Sequence, residues 1–173
     1  MGTERSDARQ DRLRLLIAEL ESELTRIQRL VDELGPASVA IADPHSTTLV
    51  IYGAAALLES FYTGMEKALR RIASSLGGMP TGEGWHRDLL ASMTLAIGGI
   101  RPAVLADDAA RSLEDYLAFR HRFRNLYVFD LERAPMASLL ARGPDVYARF
   151  ERDLRAFIAR LDRWVEELEA DTN

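Results

Sequence analysis

The sequence predicts an all-α protein, an antiparallel bundle of about five helices. Three observations predict it. Apolar residues recur every three or four positions along long stretches, clusters of Gly and Pro separate those stretches, and no segment shows the apolar–polar alternation of a half-buried strand. The chain has 173 residues, of which 47% are hydrophobic. That length buries a core without disulfide or metal support, and it reads as one domain over residues 1–173.

The first helix is predicted over residues 9–34, with Leu13, Leu16, Ile17, Leu20, Leu24, Ile27, Leu30, Val31 and Leu34 on one stripe and Gly35-Pro36 closing it. Its length leaves room for a dimer contact. Residues 37–45, broken by Pro36 and Pro44, read as a connection to a second helix over about 46–76, apolar on most sides and therefore central. The run GGMPTGEG at 77–84 is the clearest loop, and a shorter third helix is expected over 85–97. Pro102 stops any helix entering from the Gly98-Gly99 side, and Asp107 or Asp108 is the expected cap of a fourth helix carrying Leu113, Tyr116, Leu117, Phe119, Phe123, Leu126 and Tyr127. Pro135 and Gly143-Pro144 bracket a weaker segment, and a last helix is expected over 145–169.

Composition excludes several chemistries. The absence of cysteine removes disulfides, thiolate metal sites and cysteine nucleophiles. The first twenty residues are charged throughout and no run of eighteen apolar residues occurs, so a cytoplasmic protein with no membrane partner is expected. The net charge of −5 argues against a surface that is basic all over, but a local basic patch on an acidic protein still meets phosphate. Of the 22 basic residues all but Lys67 are arginine, which suits bidentate phosphate contacts and equally follows from GC-rich coding.

Several motifs fail. The glycine-rich loop lacks the Lys-Ser/Thr ending and the preceding strand of a phosphate-binding loop. His45, His86 and His121 lie far apart without carboxylates at ligand spacing, so neither a structural metal nor a cofactor is expected. Ser60, Ser74 and Ser75 sit in helical pattern rather than at a nucleophile elbow.

What remains is the segment FRHRFRNLY at 119–127, which puts Arg120, His121, Arg122, Arg124, Asn125 and Tyr127 on one predicted helix. At about 100° per residue, Arg120, Arg124 and Tyr127 fall within about 60° of one another, with His121 and Asn125 forming the neighbouring row. Phe119 and Phe123 point to another side as core anchors. Arginines packed so densely need an anion or carboxylates, for which Glu59, Glu66, Asp115 and Asp130 are candidates. Spacing alone leaves two readings open, a salt-bridged helix face and an anion-binding site.

The order Arg, four residues, His, one residue, Tyr is the signature of the HepT toxins of the HEPN superfamily, and the frame RHRFRNLY at 120–127 resembles it, with Asn125 at the histidine position. SFYTGMEKALRRIA in the second helix, GWHRDLL after the loop and RPAVL before the motif helix extend the resemblance over roughly residues 49–131. The resemblance implies a helical bundle that forms a homodimer, two motif helices facing a shared cleft, and RNA cleavage without a metal. In that scheme Arg120 holds phosphate, with Arg122 and Arg124 as further phosphate contacts, while the motif histidine moves protons as the 2′-hydroxyl attacks. Asn125 hydrogen-bonds but does not titrate. Three readings follow: His121, one turn earlier, supplies the imidazole, the chain is an inactive relative, or Asn125 is an inactivating substitution in a variant of an active protein. Tyr127 occupies the place of the tyrosine that an MntA-like nucleotidyltransferase antitoxin adenylylates; packing alone is its other reading. Tyr62 and Glu66 of the second helix form the opposite wall of the site or simply pack and neutralise arginine. A non-catalytic helical module that binds nucleotide, RNA or a partner protein is the alternative function, and a purely structural dimer is the third.

Overall fold

In the computed structural model, which describes residues 2–125, 127 and 130–170 and side chains from Asp7 onward, the chain forms five helices. They are α1 (Gly2–Ala42), α2 (Thr48–Ser75), α3 (Trp85–Met93), α4 (Asp107–Phe123) and α5 (Arg133–Ala170). No strand occurs among the described residues, where Ile97 and Arg101 form an isolated bridge.

Pairwise contacts define the direction of each helix. Gly64 of α2 meets Ile27 near the middle of α1, and Arg71, further along α2, pairs with Glu19 and Glu23, earlier in α1. Those two helices are therefore antiparallel. Arg14 near the start of α1 pairs with Glu169 at the end of α5, while Leu34 of α1 packs on Gly143 of α5. On α4, Phe61 of α2 touches Tyr116 and Tyr52 touches Phe123; Asp115 pairs with Arg142 and Asp108 with Arg149 of α5. The result is a closed antiparallel four-helix bundle of α1, α2, α4 and α5, with α3 laid across α2 and α4. Its core takes the apolar stripe of every helix, including Leu16, Leu20, Leu24, Leu58, Phe61, Phe150, Leu154 and Leu161, all almost wholly buried. Each such side chain contributes about 1.5–3 kcal/mol of transfer free energy.

Two expected breaks do not occur. The first helix continues through Gly35-Pro36 to Ala42, and the last begins at Arg133 and runs through Gly143-Pro144. A proline inside a helix removes one backbone hydrogen bond and costs about 3 kcal/mol. Packing offsets that cost here, because Leu34, Ile41, Leu139, Leu140 and Val146 on either side of the two prolines are all core residues. The weaker segment between Pro135 and Gly143 is thus part of α5, and the connection between α1 and α2 shrinks to residues 43–47. Arg133 clamps that connection, donating to the carbonyls of Asp43 at 2.9 Å and Ser46 at 3.0 Å.

The third helix stops at Met93, short of the expected Ile97. Ser92 and Thr94 donate their hydroxyls to the carbonyls of Leu89 and Ala91, and the chain then turns around Arg101, whose guanidinium donates to Ser92, Leu95 and Pro102 carbonyls. Neither Asp107 nor Asp108 caps α4. Ala106 takes that position, its own N–H donating to Asp153 of α5 at 2.8 Å, and the two aspartates sit in the first turn, where they favour the helix dipole. Buried tyrosines lock α4 and α1 to α5: Tyr116 donates to the Leu139 carbonyl at 2.7 Å, and Tyr147 to the Leu24 carbonyl at 3.0 Å. Burial pushes both phenols up to about 12, so they remain donors.

Gly143 marks a close approach of α5 to α1, since a Cβ there would meet Leu34 Cδ1 at 2.4 Å. Gly143→Ala is expected to lower stability by about 1–2 kcal/mol in urea unfolding, overpacking outweighing the helix-propensity gain. In the Leu34→Ala background the same change should restore part of the stability lost to the cavity. A stabilising Gly143→Ala in the unaltered protein contradicts this packing.

Candidate functional site

On α2, Glu59, Tyr62 and Glu66 fall at positions i, i+3 and i+7, one stripe of the helix surface. Because α4 runs antiparallel beside that stripe, the last turn of α4 delivers Arg120 onto it. Arg120 is buried, 8% exposed. Its Nε lies 3.7 Å from Glu59 and its Nη2 3.8 Å from Glu66, ion pairs too long to be good hydrogen bonds. Its Nε is in fact a buried donor without a hydrogen-bond acceptor among the described residues.

The loop at 77–84 brings in a third element. Gly84, at φ 88°, holds the left-handed conformation that starts α3 without a side-chain cap, and the first turn of α3 then points inward. His86 of that turn sets Nδ1 2.5 Å from Glu66 Oε2 and Nε2 3.5 Å from Arg120 Nη1. Trp85 stacks on the His86 ring at 3.6 Å between centroids, and the Arg70 guanidinium lies 5.3 Å over Trp85. His121, next to Arg120 on α4, meets the same His86 ring edge-on at 5.2 Å. Two imidazoles, a guanidinium and a buried carboxylate thus share one site, built from three helices.

The electrostatics follow from that crowding. His121 is exposed, yet partial desolvation of its ring, then the neighbouring His86 and Arg120, lower its pKa below the ordinary histidine value, with Arg124 acting in the same direction. Tyr62 is almost fully buried, and burial together with the Glu66 charge pushes its phenol well up despite the opposing pull of Arg120. Its hydroxyl sits beside Glu66 outside hydrogen-bonding geometry, so it serves as a neutral wall.

The structure therefore brings Arg120, His121, Glu66 and Tyr62 together, with exposed Arg124 close enough for its charge to act on His121. It separates others. Arg122 borders a hollow of about 220 Å³ with Phe119, Phe123 and Met136. Asp115 pairs with Arg142 instead of the arginine cluster. Helix α4 ends at Phe123, so the expected shared face of Arg120, Arg124 and Tyr127 does not form; Leu126 lies outside the described residues. Asn125 donates its side-chain amide to the His121 carbonyl at 2.9 Å and closes the end of α4. Tyr127 is 72% exposed on the segment beyond, its carbonyl accepting from the Asp130 N–H. His86 was not legible as a partner of Arg120, lying 34 residues before it in a different helix; its one signal is that it stands in GWHRDLL.

Among the described residues, no group of three His, Asp or Glu side chains could hold a metal ion, and no helix is long and apolar enough to cross a membrane. Comparison with known families matches residues 53–161 to the family described as HepT-like protein, a span covering Glu59, Glu66, His86 and the whole of α4. No curated protein and no solved structure matches the chain.

Side-chain NMR titration should place the His121 midpoint below 6.5. Each of Arg120→Ala and Arg124→Ala should move it upward, because each removes a cation that disfavours the imidazolium. A midpoint at or above the ordinary value in the unaltered protein refutes this electrostatic description.

Proposed function

The chain belongs to the HepT-like protein family, and from that premise we propose that it is the toxin of a toxin–antitoxin pair, a metal-independent RNA endonuclease that works as a homodimer. The observation that carries the proposal is the placement of Arg120, a buried guanidinium with an unsatisfied N–H beside two imidazoles. Cleavage of RNA by its own 2′-hydroxyl needs a fixed cation for the charge that develops on phosphorus and groups that move protons at neutral pH. Arg120 answers the first need, with Arg124 as a second phosphate contact. Since the Asn125 amide neither titrates nor leaves the helix end, His121 takes the proton role that the family motif gives to histidine.

Two features support the remaining parts of this reading. Leu49, Val50 and Tyr52 expose apolar surface on the first turns of α2, and Tyr52 touches Phe123 at the end of α4, so an apolar face borders the motif and suits a second copy of the chain. The exposure of Tyr127 suits its modification by a nucleotidyltransferase antitoxin. An adenylyl phosphate there adds negative charge and bulk near the arginines and competes with RNA.

A second reading has its own observation. Glu59 and Glu66 already partner Arg120, as they would in a non-catalytic module that binds RNA, nucleotide or protein through Arg124 and the surrounding surface.

Expression without an antitoxin is expected to arrest growth, and the purified protein to cleave RNA in the presence of a chelator. Arg120→Ala, checked for folding by its unfolding curve, should lower cleavage by roughly 10²–10³. Harmless expression with salt-sensitive RNA binding and no cleavage selects the binding module; no RNA binding at all refutes the ribonuclease and leaves the module only nucleotide or protein as its ligand.

A further inference from the structure

Resting on the ribonuclease reading above, we infer that the pair His86–Glu66 is the general acid of the site, delivering the proton that releases the 5′ side of the cut RNA. The family motif contributes no second imidazole, whereas the fold supplies one from α3. Glu66 is 3% exposed and holds His86 Nδ1 at 2.5 Å, which fixes the ring and supplies the counter-charge for an imidazolium. Trp85 stacked on the ring at 3.6 Å restricts its remaining rotation.

The second ring nitrogen carries the inference. His86 Nε2 and Arg120 Nη1 lie 3.5 Å apart, at the far limit of a hydrogen bond. With a proton on His86, both atoms are donors, and an anion that touches both offsets their repulsion. A phosphate held there by Arg120 puts its leaving oxygen within reach of Nε2–H. His121 stands edge-on to His86 at 5.2 Å, on the same side of Arg120, and takes the complementary role of base. Glu59 pairs with Arg120 and Arg70 lies over Trp85, so each reaches His86 through a shared neighbour.

The step balances. His121 takes the proton of the 2′-hydroxyl, the 2′ oxygen bonds to phosphorus, the bond from phosphorus to the 5′ oxygen breaks, and His86 Nε2 gives its proton to that oxygen. The products are a 2′,3′-cyclic phosphate and a 5′-hydroxyl. Proton exchange with water then returns both imidazoles to their starting states.

General acid catalysis has a signature that a structural role does not share: it is needed only when the leaving group is a poor one. The full-length protein should be assayed on an RNA oligonucleotide and on uridine 3′-(4-nitrophenyl phosphate), whose nitrophenolate departs without a proton. His86→Ala is expected to lower RNA cleavage by roughly 10²–10⁴ and to leave cleavage of the nitrophenyl ester within a few-fold of the unaltered protein. His86→Gln, which keeps a hydrogen-bonding group against Glu66, should show the same split if the alanine variant folds poorly. His45→Ala, in the connection between α1 and α2, should change neither rate. Equal losses on both substrates, or undiminished RNA cleavage in both His86 variants, overturn the inference and leave the ribonuclease reading standing. Absence of RNA cleavage by the unaltered protein overturns both.

Discussion

A guanidinium buried in the last turn of α4 is the constraint on which the site depends. Arg120 has left water, and a charge taken out of water is tolerated only where opposite charge meets it. Glu59 and Glu66 meet it from α2, and they do so because α2 and α4 run antiparallel with Glu59, Tyr62 and Glu66 on one stripe. The pairing is loose, with neither contact at hydrogen-bonding distance. The guanidinium is therefore held in place without being saturated, its Nε still lacking an acceptor among the described residues. The Nδ1 of His86 meets the second of these carboxylates, Glu66, at 2.5 Å, and Arg124 stands exposed just beyond the helix end.

The rest of the fold serves that placement. Packing of α1 against α2 and α5 continues past two prolines that on local grounds end helices, so the bundle around α4 is held along its full length. Tyr116 anchors α4 to α5 one turn before Arg120. The glycine-rich loop has a role that its composition does not suggest: with Gly84 in the left-handed conformation it starts α3 at the point where His86 reaches Glu66.

Much of this was legible in the sequence, and the limits have physical causes. The helical class, the loop at 77–84 and the concentration of polar residues around Arg120 follow from periodicity and composition, which are local. The resemblance of RHRFRNLY to the HepT motif pointed to the family that the match over residues 53–161 shows. Pro36 and Pro144 misled because their cost is local while the compensating burial of Leu34, Ile41, Leu140 and Val146 is tertiary. Tyr127 left the expected face because α4 ends at Phe123, and Asn125 stands at that end, its amide bonded to the His121 carbonyl. His86 escaped because no helical period connects residues on α3 and α4, and only the packed structure joins them.

The most direct test of the account is side-chain NMR of the full chain titrated with a 2′-deoxy dinucleotide, which binds as RNA does but lacks the attacking hydroxyl. The predicted result is concerted perturbation of the His86 and His121 imidazoles and of the Arg120 Nε–H. Perturbations confined to another arginine-lined surface, such as the groove bordered by Arg9, Arg101, Arg160 and Arg163, with the His86 and His121 signals unmoved, contradict it.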